Sequence, residues 1–326
     1  MIKWYIGEGM KIGILGAGVY AIALAYIITS NNHKVTLWTK FEDEMNYLTK
    51  NRKNKNLENY IIPNEVNFTT NLKEVMNNDL IIFAVPGDFI AETALAIKAL
   101  VNNQHFCIAS KGVYKDKTLF EVVKKIIDTT NIGVISGPTF AIDIIKKVPI
   151  GFSLATINND TKEVIIKALK NNRVAIDLKN DIIGISICGS LKNIIAIANG
   201  MLSGLDLPIS TQSLLITKAI YEIQTIIKYY NGNEDTIVSL AGIGDLILTC
   251  TSKKSRNYTL GYMIVSKRQD EIDDYIKNTT IEGIAALNQI QDLIFSKQIN
   301  IPIISCIYNI IYNKEKIDSL LEIITK

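Results

Sequence analysis

The residues of this 326-residue chain that could do chemistry fall into short clusters. Lys192-Asn193 sits in the middle of residues 184–200, a stretch otherwise made of apolar and small residues. A buried ammonium loses hydration, and its pKa falls from about 10.4 toward the range where it can exchange a proton. Lys192 is therefore either placed for proton transfer or snorkels to the surface from a half-buried helix. A second cluster, Gly242-Ile-Gly244-Asp245 with Thr249 and Cys250, brings a carboxylate and a hydroxyl. In a third, Ser255-Arg256-Asn257, the serine reads as a helix N-cap, while a guanidinium at a helix start also makes a phosphate clamp. Ile281-Glu282-Gly283 sets a carboxylate where it meets either an amide or hydroxyl of a ligand, or only solvent as a capping residue.

The elements that must position these groups begin with a strand, a glycine turn and a helix. Residues 11–15 read as a buried strand, Gly16-Ala-Gly18 as a tight turn and residues 19–28 as an apolar helix. The turn spells G-x-G-x-x-A: Gly16 permits the turn, Gly18 lets a pyrophosphate approach the backbone, and Ala21 allows close helix packing. The next strand, 34–38, ends in Thr39-Lys40, where an NAD-preferring site would place an acid; Lys40 either pairs with a 2′-phosphate or is a solvated loop residue. Residues 79–86 form an apolar run closing at Pro86, which faces the expected cofactor. Lys111 stands just past the strand at 106–110, where such sheets bind ligands. Gly137-Pro-Thr139-Phe-Ala141 follows a strand at 133–136 and either offers amides to an anion or is a plain turn. After a last strand at 173–177, helical periodicity runs to the end.

These elements predict an α/β protein, an N-terminal Rossmann doubly wound sheet followed by an all-helical domain. The boundaries fall at an extension (1–9, before a second methionine), a dinucleotide-binding domain (10–183) and a helical substrate-binding domain (184–326). With 35 basic and 32 acidic residues, net charge +3, and no basic stripe, neither nucleic acid nor an anionic membrane is favoured as partner. The four cysteines are scattered without a C-x-x-C pair, which suits reduced thiols in a cytosol and no metal site. No run of 18 apolar residues and no signal-peptide layout is present, so a soluble, cytoplasmic protein is expected. The only two histidines, His33 and His105, fall outside the clusters, which turns the search for a proton carrier to lysine.

Taken in order, the motifs resemble those of the bacterial-type NAD(P)-dependent glycerol-3-phosphate dehydrogenases. The set is the turn at Gly16, Val85-Pro86, Lys111-Gly112, Ser136-Gly-Pro-Thr-Phe-Ala141, Gly189-Ser-Leu-Lys-Asn193, Leu240-Ala-Gly-Ile-Gly-Asp245, Thr249-Cys250, Ser255-Arg-Asn257 and Glu282-Gly283. The resemblance implies reversible reduction of dihydroxyacetone phosphate to sn-glycerol 3-phosphate with NADPH or NADH, a product feeding phospholipid synthesis, and a homodimer. It makes Lys192 the catalytic lysine. Lys111, Gly137, Thr139, Asp245, Ser255, Arg256 and Asn257 become substrate contacts, and Val19, Tyr20, Ala141 and Glu282 cofactor contacts, with Lys111 and Arg256 also near the cofactor. Asp245 is expected to orient Lys192, with Asn193 and Thr249 as its neutral partners, and the charges of Lys111 and Arg256 are expected to depress its pKa. The chain departs from the family at Thr139 and Val19-Tyr20-Ala21, and more sharply at Lys147, Ser210-Thr211-Gln212 and Lys218. Two other readings remain: a hydroxyacid dehydrogenase or ketopantoate-type reductase, against which the phosphate-directed set Lys111 and Ser255-Arg256-Asn257 speaks, and a catalytically idle NADP(H)-binding sensor.

Overall fold

The computed structural model describes residues 9–57, 59–115, 117–296 and 298–326, so the extension read at 1–9 lies almost wholly outside the described residues. The strands are β1 (Lys11–Leu15), β2 (Lys34–Trp38), β3 (Val66–Thr69), β4 (Leu80–Phe83), β5 (His105–Ile108), β6 (Val113–Tyr114), β7 (Lys117–Thr118), β8 (Ile132–Ser136), β9 (Ile150–Thr156) and β10 (Val174–Leu178). Interleaved with them are α1 (Val19–Ser30), α2 (Glu42–Asn51), α3 (Leu72–Met76), α4 (Ile90–Ile97), α5 (Leu119–Ile127), α6 (Ala141–Ile145) and α7 (Asn159–Leu169). The second half is helical: α8 (Ile182–Gly204), α9 (Ile209–Tyr229), α10 (Asp245–Cys250), α11 (Arg256–Ser266), α12 (Gln269–Asn278), α13 (Glu282–Gln289), α14 (Gln291–Ser296), α15 (Pro302–Asn313) and α16 (Asp318–Thr325).

Eight strands form one sheet in the order β10-β9-β8-β5-β4-β1-β2-β3. Six are mutually parallel; β9 turns antiparallel to β8, and β10 pairs parallel with β9. From β1 the chain proceeds outward through β2 and β3 on one side, then returns to build β4, β5 and β8 on the other. The crevice between β1 and β4 is therefore the topological switch point, where open α/β sheets bind ligands at the carboxyl ends of the strands. The central strands are apolar because helices cover both sheet faces: all four residues of β4 are buried.

The helical half is organised around α8, which begins at Ile182, two residues ahead of the expected boundary, with the Asp181 side chain accepting from Gly184 N at 2.9 Å. By length and composition α8 is the one described helix apolar enough to cross a membrane, but 89% of its apolar window is buried inside the protein. It is wrapped by α9, α10, α11 and α13. The crossing with α11 demands a missing side chain, since a Cβ on Gly261 would sit 1.8 Å from Ile197 O. At its other end α8 serves the sheet: Ile182 and Ile185, with Ala241, pack into the same core as Phe83, Phe106 and Val134. The four cysteines are free and buried, and burial pushes the Cys107, Cys188 and Cys250 thiols above their ordinary range, which makes them poor nucleophiles.

Candidate active site

The fold brings Lys192 from α8 and Asp245 and Thr249 from α10 to one point. Lys192 Nζ donates to Asp245 Oδ1 at 2.6 Å and to Thr249 Oγ1 at 2.8 Å, with the lysine only 6% and the aspartate 1% exposed. Lys192 therefore does not snorkel. Thr249 can accept because its own hydroxyl donates to Asp245 O one turn earlier, at 2.6 Å. An ammonium has three N–H groups, so Lys192 keeps one for a substrate oxygen. Asp245 follows a kinked helical turn, Leu240–Gly244, pinned by Ala241 N to Ser153 Oγ of β9 (3.0 Å) and by Gly242 N to Ser239 Oγ (3.0 Å).

The second oxygen of Asp245 is taken by Lys111, whose Nζ lies 3.0 Å from Oδ2. Two ammoniums, Lys192 buried and Lys111 partly buried, thus share one carboxylate, and it cannot hold both equally. Burial, reinforced by the charge of Lys111, lowers the Lys192 pKa to about 8 against the opposing pull of Asp245 and Glu282. Burial also pulls on Lys111, but Asp245, Tyr20 and Glu282 outweigh it and hold that lysine above the ordinary range. Lys192 is the one poised to exchange its proton. Its principal charged neighbours are Asp245, Lys111 and Glu282; Arg256, expected to contribute, is an exposed side chain at the start of α11 and is not among them.

Asn193 corrects a second expectation. It does not contact Lys192: its Nδ2 donates to Glu282 Oε2 (2.9 Å) and its Oδ1 accepts from Asn257 Nδ2 (2.9 Å), while Asn257 Oδ1 accepts from Gly283 N (2.8 Å). Successive side chains on a helix point about 100° apart, so the residue beside Lys192 faces α11 and α13 instead. Glu282 is accordingly no solvated cap. Ser255 does cap α11, accepting from Tyr258 N at 3.3 Å. Arg256 has no ion-pair partner among the described residues, so its guanidinium is free for an anion.

The switch point fits a dinucleotide. Gly16 adopts φ 121° with its Cα packed so near β4 that a Cβ would meet Ala84 O at 2.7 Å, whereas a Cβ on Gly18 would meet nothing within 4 Å. Helix α1 starts at Val19 and Tyr20 without a side-chain cap or an acid in its first turn, which leaves its first N–H groups for phosphate. Pro86, Gly137 and Ala141 lie past the carboxyl ends of β4 and β8, and Tyr20 OH stands 3.3 Å from Thr139 Oγ1. At the end of β2, Lys40 Nζ is paired with Glu92 Oε1 at 2.7 Å, and Thr39 donates to Glu44, an acid the sequence pattern did not reveal because it comes from α2. His33 and His105 lie at the opposite, amino-terminal ends of β2 and β5, bonded to Lys167 O and Thr161 Oγ1. Of the departures, Lys147 takes φ 57°, a conformation that favours glycine, and Gln212 binds Leu207 O and Asn199 two turns beyond Lys192.

Residues 11–162 match the family model for the NAD-dependent glycerol-3-phosphate dehydrogenase N-terminus, and residues 181–322 that for its C-terminus. The chain is 33% identical over 324 residues to a glycerol-3-phosphate dehydrogenase [NAD(P)+] of Ehrlichia ruminantium, covering 95% of this chain and 98% of that one. It is 31% identical to the glycerol-3-phosphate dehydrogenase [NAD(P)+] 2 of Lactobacillus delbrueckii subsp. bulgaricus, covering 95% and 96%. The solved structure of glycerol-3-phosphate dehydrogenase from Coxiella burnetii superposes with TM-score 0.92 at 29% identity, over 98% of this chain and all of that one. With both domain models matched in order and a Rossmann sheet leading into the helical bundle, the chain belongs to the NAD-dependent glycerol-3-phosphate dehydrogenase family.

Proposed function

We propose that the protein reduces dihydroxyacetone phosphate to sn-glycerol 3-phosphate with NADPH or NADH, reversibly, and that the observation carrying the chemistry is the sharing of buried Asp245 by Lys192 and Lys111. The reduced nicotinamide, when bound, supplies the hydride. Gly16, Gly18, Val19, Tyr20, Pro86, Ala141 and Glu282 are its proposed contacts, and Lys40 holds a 2′-phosphate if it leaves Glu92. As C2 of the ketone gains a hydride, its oxygen gains negative charge. The free N–H of Lys192 stabilises that charge and then transfers the proton to oxygen, leaving a neutral amine that takes a proton from solvent. Asp245 and Thr249 fix the lysine, and Lys111, Arg256, Ser255, Asn257 and the Gly137–Thr139 turn hold the phosphate and hydroxyl groups. Asn193 supports Glu282 and Asn257 rather than touching the reacting atoms.

The sheet half, up to the start of α8, serves as the cofactor domain and the helical half from Ile182 as the substrate domain of a cytoplasmic homodimer whose product feeds phospholipid synthesis. The test is NADPH oxidation with dihydroxyacetone phosphate, compared with glyoxylate and ketopantoate. Lys192→Ala should lower kcat roughly 10²–10⁴-fold while NADPH still binds. A variant with wild-type kcat would remove Lys192 from the chemistry, and a preference for either carboxylate would remove the substrate assignment.

A further inference from the structure

We propose that Gln289 is a positioning residue: it clamps the Lys111 segment and the Pro86 turn to α13 and thereby sets how Lys111 shares Asp245 with Lys192. The inference rests on the roles given above to Lys111 and Lys192. Helix α13 begins with Glu282 at the site and ends with Gln289, roughly 10 Å further along its axis. Both ends are tied. Gln289 Oε1 accepts from Val113 N at 2.9 Å, and its Nε2 donates to Asp88 Oδ1 at 2.8 Å, so one amide from the helical half bridges two separate segments of the dinucleotide half. The two bonds fix which end of the amide is which, since Val113 offers a donor and Asp88 an acceptor.

Between those segments lies Lys111. Its carbonyl packs against the Pro86 turn so closely that a Cβ on Gly87 would sit 2.7 Å from it. Gly112, at φ 135°, brings the backbone to Gln289, whose Oε1 would lie 3.2 Å from a Cβ there. Val113 is two residues from Lys111, so the clamp fixes the backbone from which the Lys111 side chain reaches Asp245. The Val113 side chain is itself buried in the helical-half core, while Asp88, Tyr114, Lys115, Asn288 and Gln289 line an adjoining cavity of about 380 Å³, so on the Asp88 side the amide bond is the tie. The titratable and charged groups facing Lys192 are Asp245 and the Cys250 thiol from α10, Lys111 from the segment after β5, and Glu282 from α13. If Lys111 withdraws, Lys192 loses a repelling charge and gains sole use of Asp245, so its proton is held more tightly.

Gln289→Ala should raise the KM for dihydroxyacetone phosphate roughly three- to tenfold, as for loss of one or two ordinary hydrogen bonds. It should also move the basic limb of the pH–rate profile for ketone reduction to higher pH, which a purely structural role would not do. Gln289→Glu keeps the acceptor for Val113 N but sets two carboxylates together. Adding Asp88→Asn restores the bond with donor and acceptor exchanged, so the double variant should recover the wild-type KM and limb. Gln289→Ala with unchanged KM and limb, or a double variant no better than Gln289→Glu, overturns the clamp even if thermal stability falls. A wild-type profile with no basic limb would instead strike the Lys192 assignment, and the clamp would then stand or fall on KM and its recovery in the double variant.

Discussion

Asp245→Asn isolates what the shared carboxylate does, because it keeps the shape of the side chain and deletes only its charge. At 2.6 Å and an effective dielectric near 20, the attraction of Asp245 for Lys192 is about 6 kcal/mol, and for Lys111 at 3.0 Å about 5.5 kcal/mol. Most of this offsets the desolvation of buried Asp245 and Lys192 and of partly buried Lys111, and the mutual repulsion of the two lysines, so removal of the carboxylate should cost about 3–5 kcal/mol of stability, the range for breaking a buried pair. The kinetic effect has a definite sign. Asp245 is the largest influence opposing the burial that depresses Lys192, so its loss should lower that pKa below about 8. Reduction needs the protonated lysine; above the limb, every further unit of downward shift removes a factor of about ten in the active form. The limb of kcat/KM for ketone reduction should therefore move to lower pH, measured by NADPH absorbance across pH 6 to 9.5 on protein kept below its lowered melting temperature. Lys111→Met on top of Asp245→Asn should move the limb partly back by removing the repelling ammonium. A limb that stays near 8 in Asp245→Asn, or moves up, would refute the electrostatic account of the site.

Arg256→Ala should raise the KM for dihydroxyacetone phosphate at least about tenfold with little change in kcat, because a charge-assisted bond contributes about 1.5–3 kcal/mol; an unchanged KM in steady-state assays would put the phosphate elsewhere. Lys40→Asp should weaken NADPH more than NADH, and Glu92→Gln, which frees Lys40 from its 2.7 Å partner, should strengthen NADPH selectively; equal changes in both dissociation constants would leave Lys40 without a role in the choice. Glu222 accepts from Ile303 N and Ile304 N at the start of α15, yet burial raises its pKa to about 7. A carboxyl raised above its unfolded value of 4.5 costs stability as pH rises through that window, so the melting temperature of wild type relative to Glu222→Gln should fall between pH 5 and 8. A constant difference would show that Glu222 keeps its ordinary ionisation.

What could be read in the sequence was local, and what could not was mostly a matter of distant partners. The glycine turn at Gly16 and the apolar runs of β1 and β4 announce themselves because strand, turn and helix fall within about twenty consecutive residues. By contrast β3, β9 and the β6–β7 hairpin were not legible: β3 is four residues of mixed polarity, Val-Asn-Phe-Thr, the hairpin strands are two residues each, and β9 reverses direction in the sheet, a fact no local pattern encodes. The clusters containing Lys192 and Asp245 stood out as unusual, but their pairing crosses 53 positions and that of Lys111 with Asp245 crosses 134. Adjacency in sequence misled at Asn193, where helical geometry sends a neighbour to another face. Gln289 gave no signal at all, since a glutamine at the end of an amphipathic helix is ordinary until its two partners are brought to it.

The reach of α8 into both cores also bears on the order in which the chain can mature. The sheet face carrying Phe83, Phe106 and Val134 is completed by Ile182, Ile185 and Ala241. A nascent chain that has left the ribosome only as far as β10 therefore still shows an uncovered apolar surface, and it must wait for about sixty more residues, including the buried Lys192, before that surface closes. Excising the first half for use as a free-standing dinucleotide binder, or grafting it onto a foreign helical partner, would leave the same gap, unless three apolar side chains were supplied from elsewhere.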